Sequence, residues 1–542
     1  MKWTRTWLFQ NSRDLTLLWK CSVAIVGGAI LLAAVMQGLR PHQGDATIPK
    51  LVVTVNGPLR TAGANYKKLV EAREPRPAAL AQWIRTLPGV MKANPLLGSL
   101  DATELKLGHW EIQPLLEKHL ADVEQRELFA QYSRAWLLPA GAARDEAAGR
   151  VREMAAQKSN LRFTGEFDGD LLLRDKRNAE ALQAFLKEVQ AKDAVYARHE
   201  AFMLALNLGD KEALRGLCAD PRCLGEIHPY WIGDAGRILG DRWLVMRSVV
   251  WSEWQHWARS AVAPLALFGA AIWYLILVSS ASHERLRWVR YLAPIFAGVL
   301  SAWLVIWLQT YLGYNPEYHG RDQSGVQELI YTILYVGLPE EGVKLALFVP
   351  FVPLLMKQNL RAKVALTAGC VGLGFAMDEN ILYFERSGVG VAIVRLMTAN
   401  FMHIALTGMT GLWFYRMIRS RFHEAAEFVG MFLGMVVAHG MYDFASSRVA
   451  QEWGVDLAGI VILAVLAKLY LHQLRPPNAS GHRSLISSTS ILFLGSALVL
   501  AIGIVAAVWE ADSFGATADV LKVMLAMVPI GVMFVREFRE VS

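Results

Sequence analysis

Residues 327–355 read QELIYTILYVGLPEEGVKLALFVPFVPLL. As a helix, such a stretch rises about 1.5 Å per residue, more than enough to cross a hydrocarbon core about 30 Å thick. Yet Glu340, Glu341 and Lys344 interrupt it near the middle. Ionisable groups at that depth are costly, so they mark a functional site by default. Glu340 and Lys344 stand i,i+4, share a helix face and can neutralise each other. Glu341 lies about 100° further round and is free to point elsewhere.

Working outward, comparable apolar runs follow one another at 259–281, 290–312, 361–384, 390–415, 425–447, 456–473, 487–509 and 517–535. With 327–355 and an N-terminal run at 21–39, that makes ten expected transmembrane helices, and the fold class is an all-α polytopic membrane protein. Over 542 residues only 19% are charged, against about 25% in soluble domains. This excludes a soluble enzyme, a disordered chain and a small disulfide scaffold. The net charge of +7 comes from short basic loops at 283–290, 357–363, 416–421, 475–483 and 536–539. They alternate with neutral or acidic connections such as 509–519, the pattern of cytoplasmic loops. No phosphate loop, zinc-finger spacing or basic-aromatic platform is present, so nucleic acid is not expected as a partner.

The alternation places residues 1–40 as a cytoplasmic N-terminus with an uncleaved signal anchor, and 258–535 as a nine-helix membrane domain. Residues 536–542 form a cytoplasmic tail. The polar block 41–257 is then an extracytoplasmic soluble domain, and Trp251, Trp254, Trp257, Tyr311 and Tyr314 fall where an outer aromatic belt is expected. That block reads as mainly α-helical, with amphipathic stretches at 178–191 and 193–208, the latter closing at Gly209. The β-branched run at 48–55 predicts a strand before an Asn56-Gly57-Pro58 turn. No catalytic constellation appears there, and its His, Glu and Lys residues read as a solvated face. Cys218 and Cys223, five apart in a polar stretch, are a disulfide candidate in an oxidising compartment. Cys21 and Cys370 read as small hydrophobes.

Further ionisable groups lie within the apolar runs: Glu379 and Asn380 in GFAMDENILYF, His403 in MHIALTGMTG, and His439 and Asp443 in AHGMYDF. His439 and Asp443 are i,i+4, a spacing that suits a carboxylate fixing an imidazole tautomer. Gly408 and Gly411 allow close approach of a backbone or a substrate. Arg395, near the outer face, reads as an interfacial anchor or as the partner of a carboxylate. Alternating topology puts Glu340 and His403 near mid-membrane and Glu379, His439 and Asp443 in the outer half, open to one cavity.

Glu-Glu-x-x-Lys at 340–344, Phe-x-x-x-Glu-Asn at 375–380, His-x7-Gly at 403–411 and His-x3-Asp at 439–443 resemble the PrsW family of intramembrane proteases. The family belongs with the CAAX prenyl endopeptidases. The likeness covers about 325–450, without the 41–257 block. It implies hydrolysis of a single-pass membrane protein, such as an anti-sigma factor, on its extracytoplasmic side in a bacterial inner membrane. The CAAX relatives carry a histidine where Glu379-Asn380 stands here.

Peptide hydrolysis needs an activated water, an oxyanion donor and a proton for the leaving amine. The catalytic candidates are Glu340 as general base, Glu341, His403 and His439. Lys344, Phe375, Glu379, Asn380, Gly411 and Asp443 support them, with His439, held by Asp443, and Asn380 binding the oxyanion or positioning water. No cofactor is required on this reading. The alternative is zinc held by Glu340, His403 and His439. Competing functions are a proton-coupled transporter built on the same residues and a non-catalytic receptor whose outer domain binds a substrate or regulator.

Overall fold

The computed structural model describes residues 2–39, 50–157, 161–280, 288–313, 325–357, 360–446, 457–474, 486–511 and 516–541. The chain forms two compact units, 1–40 with 245–542, and 41–244. Parts of the expected loops at 283–290, 475–483 and 509–519, and residues 48–49, lie outside the described residues.

In the second unit successive helices pack each on the next: Val123–Leu137, Ala142–Gln157, Thr164–Arg174, Asn178–Leu186, Val195–Leu208 and Lys211–Ala219. Gly209 ends the fifth at φ +65, a left-handed cap that glycine takes without strain. Lys50–Glu71 is helical, so the strand expected at 48–55 does not form and the Asn56-Gly57-Pro58 turn is absorbed into the helix. β-Branched residues weaken a helix by only about half a kcal/mol each, too little for a short run to decide its state. The described sheet is one pair of two-residue strands, Lys106–Leu107 and Trp110–Glu111.

The acidic groups of this unit are not all solvated. Arg85 reaches Glu166 at 2.8 Å and Asp170 at 2.7 Å. Tyr132 and Tyr196 donate to Asp170 at 2.8 and 2.6 Å. Arg162 joins Glu166 and Glu188, each at 2.7 Å. These buried carboxylates survive because each is met by a guanidinium or a hydroxyl.

Cys218 and Cys223 are thiols, not a disulfide. They sit on consecutive helices, Lys211–Ala219 and Pro221–Glu226, separated by the capping Asp220. Both sulfurs pack into one apolar cluster. Burial pushes the Cys223 thiol up to about 12, which suppresses the thiolate that exchange requires.

In the first unit six described helices are long and apolar enough to cross a membrane, or seven with one bent pair, against the ten expected. Among those that fall short, Arg361–Ser387 is diluted by Asp378, Glu379 and Asn380, and Ala458–Leu474 is short. The run at 327–355 is a broken helix: Gly325–Tyr331, a π-helical turn Thr332–Gly337, then Leu338–Phe348. Pro339 explains the break. It has no N–H for the Tyr335 carbonyl four residues back, which instead accepts from the Gln309 amide at 3.2 Å.

Arg361–Ser387 is the central helix, packed against Ala263–Ser280, Leu292–Leu312 and Ala399–Arg419. Glycine sets the closeness of these crossings. A Cβ on Gly298 would lie 2.0 Å from the Val371 carbonyl oxygen, and one on Gly372 would lie 2.1 Å from that of His403. Without a hydrophobic drive between helices in lipid, such small-residue contacts carry much of the packing. Gly298→Ala should therefore lower the melting temperature of the detergent-solubilised protein, whereas Gly430→Ala, with open space at its Cβ, should leave it unchanged or raise it slightly. Thiol alkylation of the native chain should be slower at Cys223 than at Cys218.

Candidate active site

Four helices bring the intramembrane ionisable groups to one place. Lys344, fully buried, donates to Glu340 Oε2 at 3.1 Å and Glu341 Oε1 at 2.9 Å, and lies 2.9 Å from His403 Nδ1. Its ammonium also sits 3.7 Å over the Phe375 ring, a cation–π contact. Glu341 therefore does not point elsewhere. At i,i+3 to Lys344 it meets the same ammonium as Glu340 and is fully buried.

Each imidazole is held by a carboxylate. His403 Nε2 lies 3.0 Å from Glu379 Oε2. His439 Nδ1 lies 2.9 Å from Glu341 Oε1, so Glu341 rather than Asp443 orients this ring. Asp443, partly exposed, stands 3.4 Å from His439 Nε2, and Glu340 Oε2 stands 3.5 Å from the same nitrogen. With Nδ1–H given to Glu341, the Nε2 lone pair faces two carboxylates. An acceptor among acceptors calls for a proton or a cation between them.

Arg395 is a partner, not an interfacial anchor. It bonds Glu379 at 2.6 Å and also donates to Asn380. The Asn380 amide donates to Asn400 at 2.6 Å. Both ends of the Asn380 side chain are thus engaged, by Arg395 and Asn400.

Gly408 and Gly411 admit side chains of neighbouring helices rather than a backbone or a substrate. Cβ atoms there would meet the Tyr470 ring at 2.2 Å and the Ala368 methyl at 2.5 Å. Gly337 and Gly440 went unremarked in the sequence, although they let the π-helical turn press on Ala425–Ala445: a Cβ on Gly440 would lie 2.5 Å from the Ile333 Cα. Asn400 and Thr407 were also missed. They stand at i−3 and i+4 from His403 on the same helix face, a pattern that could have exposed them. Thr407 donates to Glu341 at 3.5 Å. A third is Asp378, buried beside Glu379 and bonded by the indoles of Trp257 at 2.5 Å and Trp303 at 3.0 Å.

Residues 284–470 match the family described as PrsW family intramembrane metalloprotease. This stretch is a PrsW-family protease domain. No curated protein and no solved structure matches the chain. The PrsW match indicates that the protein is an intramembrane protease acting on membrane-protein substrates within a multi-pass fold.

The metal that the family description implies can be tested against the donors. Glu340, His403 and His439, all buried, offer ligand atoms within 4.8 Å of one another. Two imidazoles and a carboxylate are an appropriate set for zinc that leaves a position for water. The carboxylates of Glu340, Glu341 and Glu379 face the cations of Lys344 and Arg395, and Asp443 stands beside His439. With all four carboxylates ionised and both imidazoles neutral, the site carries an excess of two negative charges, which a divalent cation would neutralise. The donor set therefore fits a metal.

Removing the ammonium while leaving both glutamates buried should destabilise the membrane unit by about 3–5 kcal/mol. Lys344→Met should thus melt well below wild type in detergent, and adding Glu341→Gln to it should recover part of the loss.

Proposed function

We propose that the PrsW-like protein cuts single-pass membrane proteins, an anti-sigma factor being the type of substrate, near the extracytoplasmic face of a bacterial inner membrane. In this reading the N-terminus is cytoplasmic and residues 41–257 are extracytoplasmic. The observation that carries the chemical part is the convergence of Glu340, His403 and His439 around the Lys344 ammonium.

Glu340, His403 and His439 would hold the metal, which when bound supplies a Lewis acid that makes water nucleophilic near neutral pH. The chain's own groups do the rest. Glu341 accepts the Nδ1 proton of His439 and so keeps the Nε2 lone pair on the Glu340 side. Glu379, itself held by Arg395, does the same for His403 and leaves the Nδ1 lone pair facing the Lys344 ammonium, a hydrogen bond that a metal would have to replace. Such carboxylate–imidazole pairs fix tautomer and ring orientation. Lys344 keeps a positive charge beside Glu340 and Glu341, holding both in place and lending electrostatic support to charge that develops on a substrate carbonyl. Asp443, the partly exposed carboxylate next to His439, is placed to pass a proton to the departing amine.

The soluble unit lacks any of these groups. Its proposed part is to recruit or screen substrates, so deletion of 45–250 should widen or change the set of proteins cut.

The test compares membrane and released fragments by N-terminal labelling mass spectrometry in cells with wild type or Glu340→Gln, at matched expression and insertion. A small set of juxtamembrane cuts should vanish in the variant; identical fragment sets would refute the role of Glu340. Purified wild type should carry close to one metal ion per chain, and His439→Ala should lower that occupancy at least tenfold. Metal-free wild type that retains the cuts would overturn the metal assignment.

A further inference from the structure

The helix Arg242–Arg259 and the apolar helix Ala263–Ser280 meet at 87°. An apolar helix that follows the membrane normal forces its orthogonal neighbour into the membrane plane. The composition of Arg242–Arg259 suits that position. Arg247, Val250, Trp251, Trp254 and Ala258 recur at about every fourth residue and are exposed, Trp251 at 52% and Trp254 at 57%. The opposite face, with Val245, Ser248, Val249 and Glu253, is buried. Large exposed indoles beside a cationic side chain are out of place in water. They match the headgroup layer, where the ring is half in the acyl boundary and an arginine meets phosphate.

The fourth tryptophan of this helix faces inward. Trp257 donates to the buried carboxylate of Asp378 at 2.5 Å, and His256 lies 3.9 Å from Glu385 on the same central helix. Asp378 directly precedes Glu379, the residue that orients His403.

We propose that Arg242–Arg259 is a membrane-surface helix, seated among phospholipid headgroups by Trp251, Trp254 and Arg247, and that through Trp257 and Asp378 it fixes the position of the helix carrying Glu379. The lipid seat rests on the membrane fold alone; the importance of fixing Glu379 rests on the protease reading.

Nitroxide labels at Arg247→Cys, Val250→Cys and Ala258→Cys test the seat one at a time. The protein is full length, with its native cysteines replaced, in vesicles of phosphatidylethanolamine and phosphatidylglycerol. Depth is read from relaxation by oxygen and by a water-soluble nickel chelate. All three labels should sit at a common headgroup depth. A helix along the membrane normal would separate the outer two by about 16 Å at 1.5 Å per residue; that result, or full access to nickel at all three, overturns the proposal. Adding Trp251→Ser with Trp254→Ser should raise nickel access severalfold, and no change would remove the tryptophans as anchors. For the clamp, the distance distribution between labels at Trp254→Cys and Ser387→Cys should broaden about twofold with Trp257→Phe, which keeps the ring but loses the N–H. An unchanged width would refute the clamp while leaving the protease reading intact.

Discussion

A single buried ammonium organises the membrane unit. Lys344 meets Glu340, Glu341 and His403, and its remaining face lies on the Phe375 ring. Two carboxylates cannot be carried into an apolar bundle without such a counter-charge. Once the ammonium is there, its reach dictates where three helices must stand. The backbone devices around it serve that demand: the π-helical turn ahead of Pro339, the Gln309 amide on the orphaned Tyr335 carbonyl, and glycines at the closest helix approaches.

The chain contains two buried ionic networks of similar chemistry and different outcome. In the unit 41–244, Arg85 and Arg162 share Glu166, and Asp170 takes Arg85 and two tyrosines. Each carboxylate there meets a guanidinium or a hydroxyl donor, so the network is a structural tie. In the membrane unit, by contrast, His439 Nε2 looks onto the carboxylates of Glu340 and Asp443. That surplus of acceptors leaves room for a proton or a metal ion, and it distinguishes a reactive site from a tie.

The carboxylates also work in a hierarchy. Glu379 and Glu341 each orient one imidazole, and Arg395, Asn380 and Asn400 form the layer behind Glu379. Asp378 turns the other way, onto two indoles, and ties the central helix to its surroundings at the neighbouring position. Adjacent residues on one helix thus serve opposite faces, one toward chemistry and one toward position.

Much of this was legible in the sequence, because charge within an apolar run is a signal that survives without any knowledge of packing. Glu340, Glu341, Lys344, Glu379, His403, His439 and Asp443 all stood out on that ground, as did the helical class and the end of a helix at Gly209. Pairing was not legible in the same way. Spacing along one helix suggested Asp443 for His439 and freedom for Glu341; Asp443 does stand at Nε2, but Nδ1 goes to Glu341, 98 residues away in sequence, and Glu341 is also held by Lys344 on its own helix. The same holds for Arg395, Asn380 and the thiols of Cys218 and Cys223. Local sequence determines which groups must be buried, since apolar content and helical period are properties of a segment. Which buried group meets which is decided only by how the helices cross, because a charge in a medium without water takes the nearest partner that packing provides.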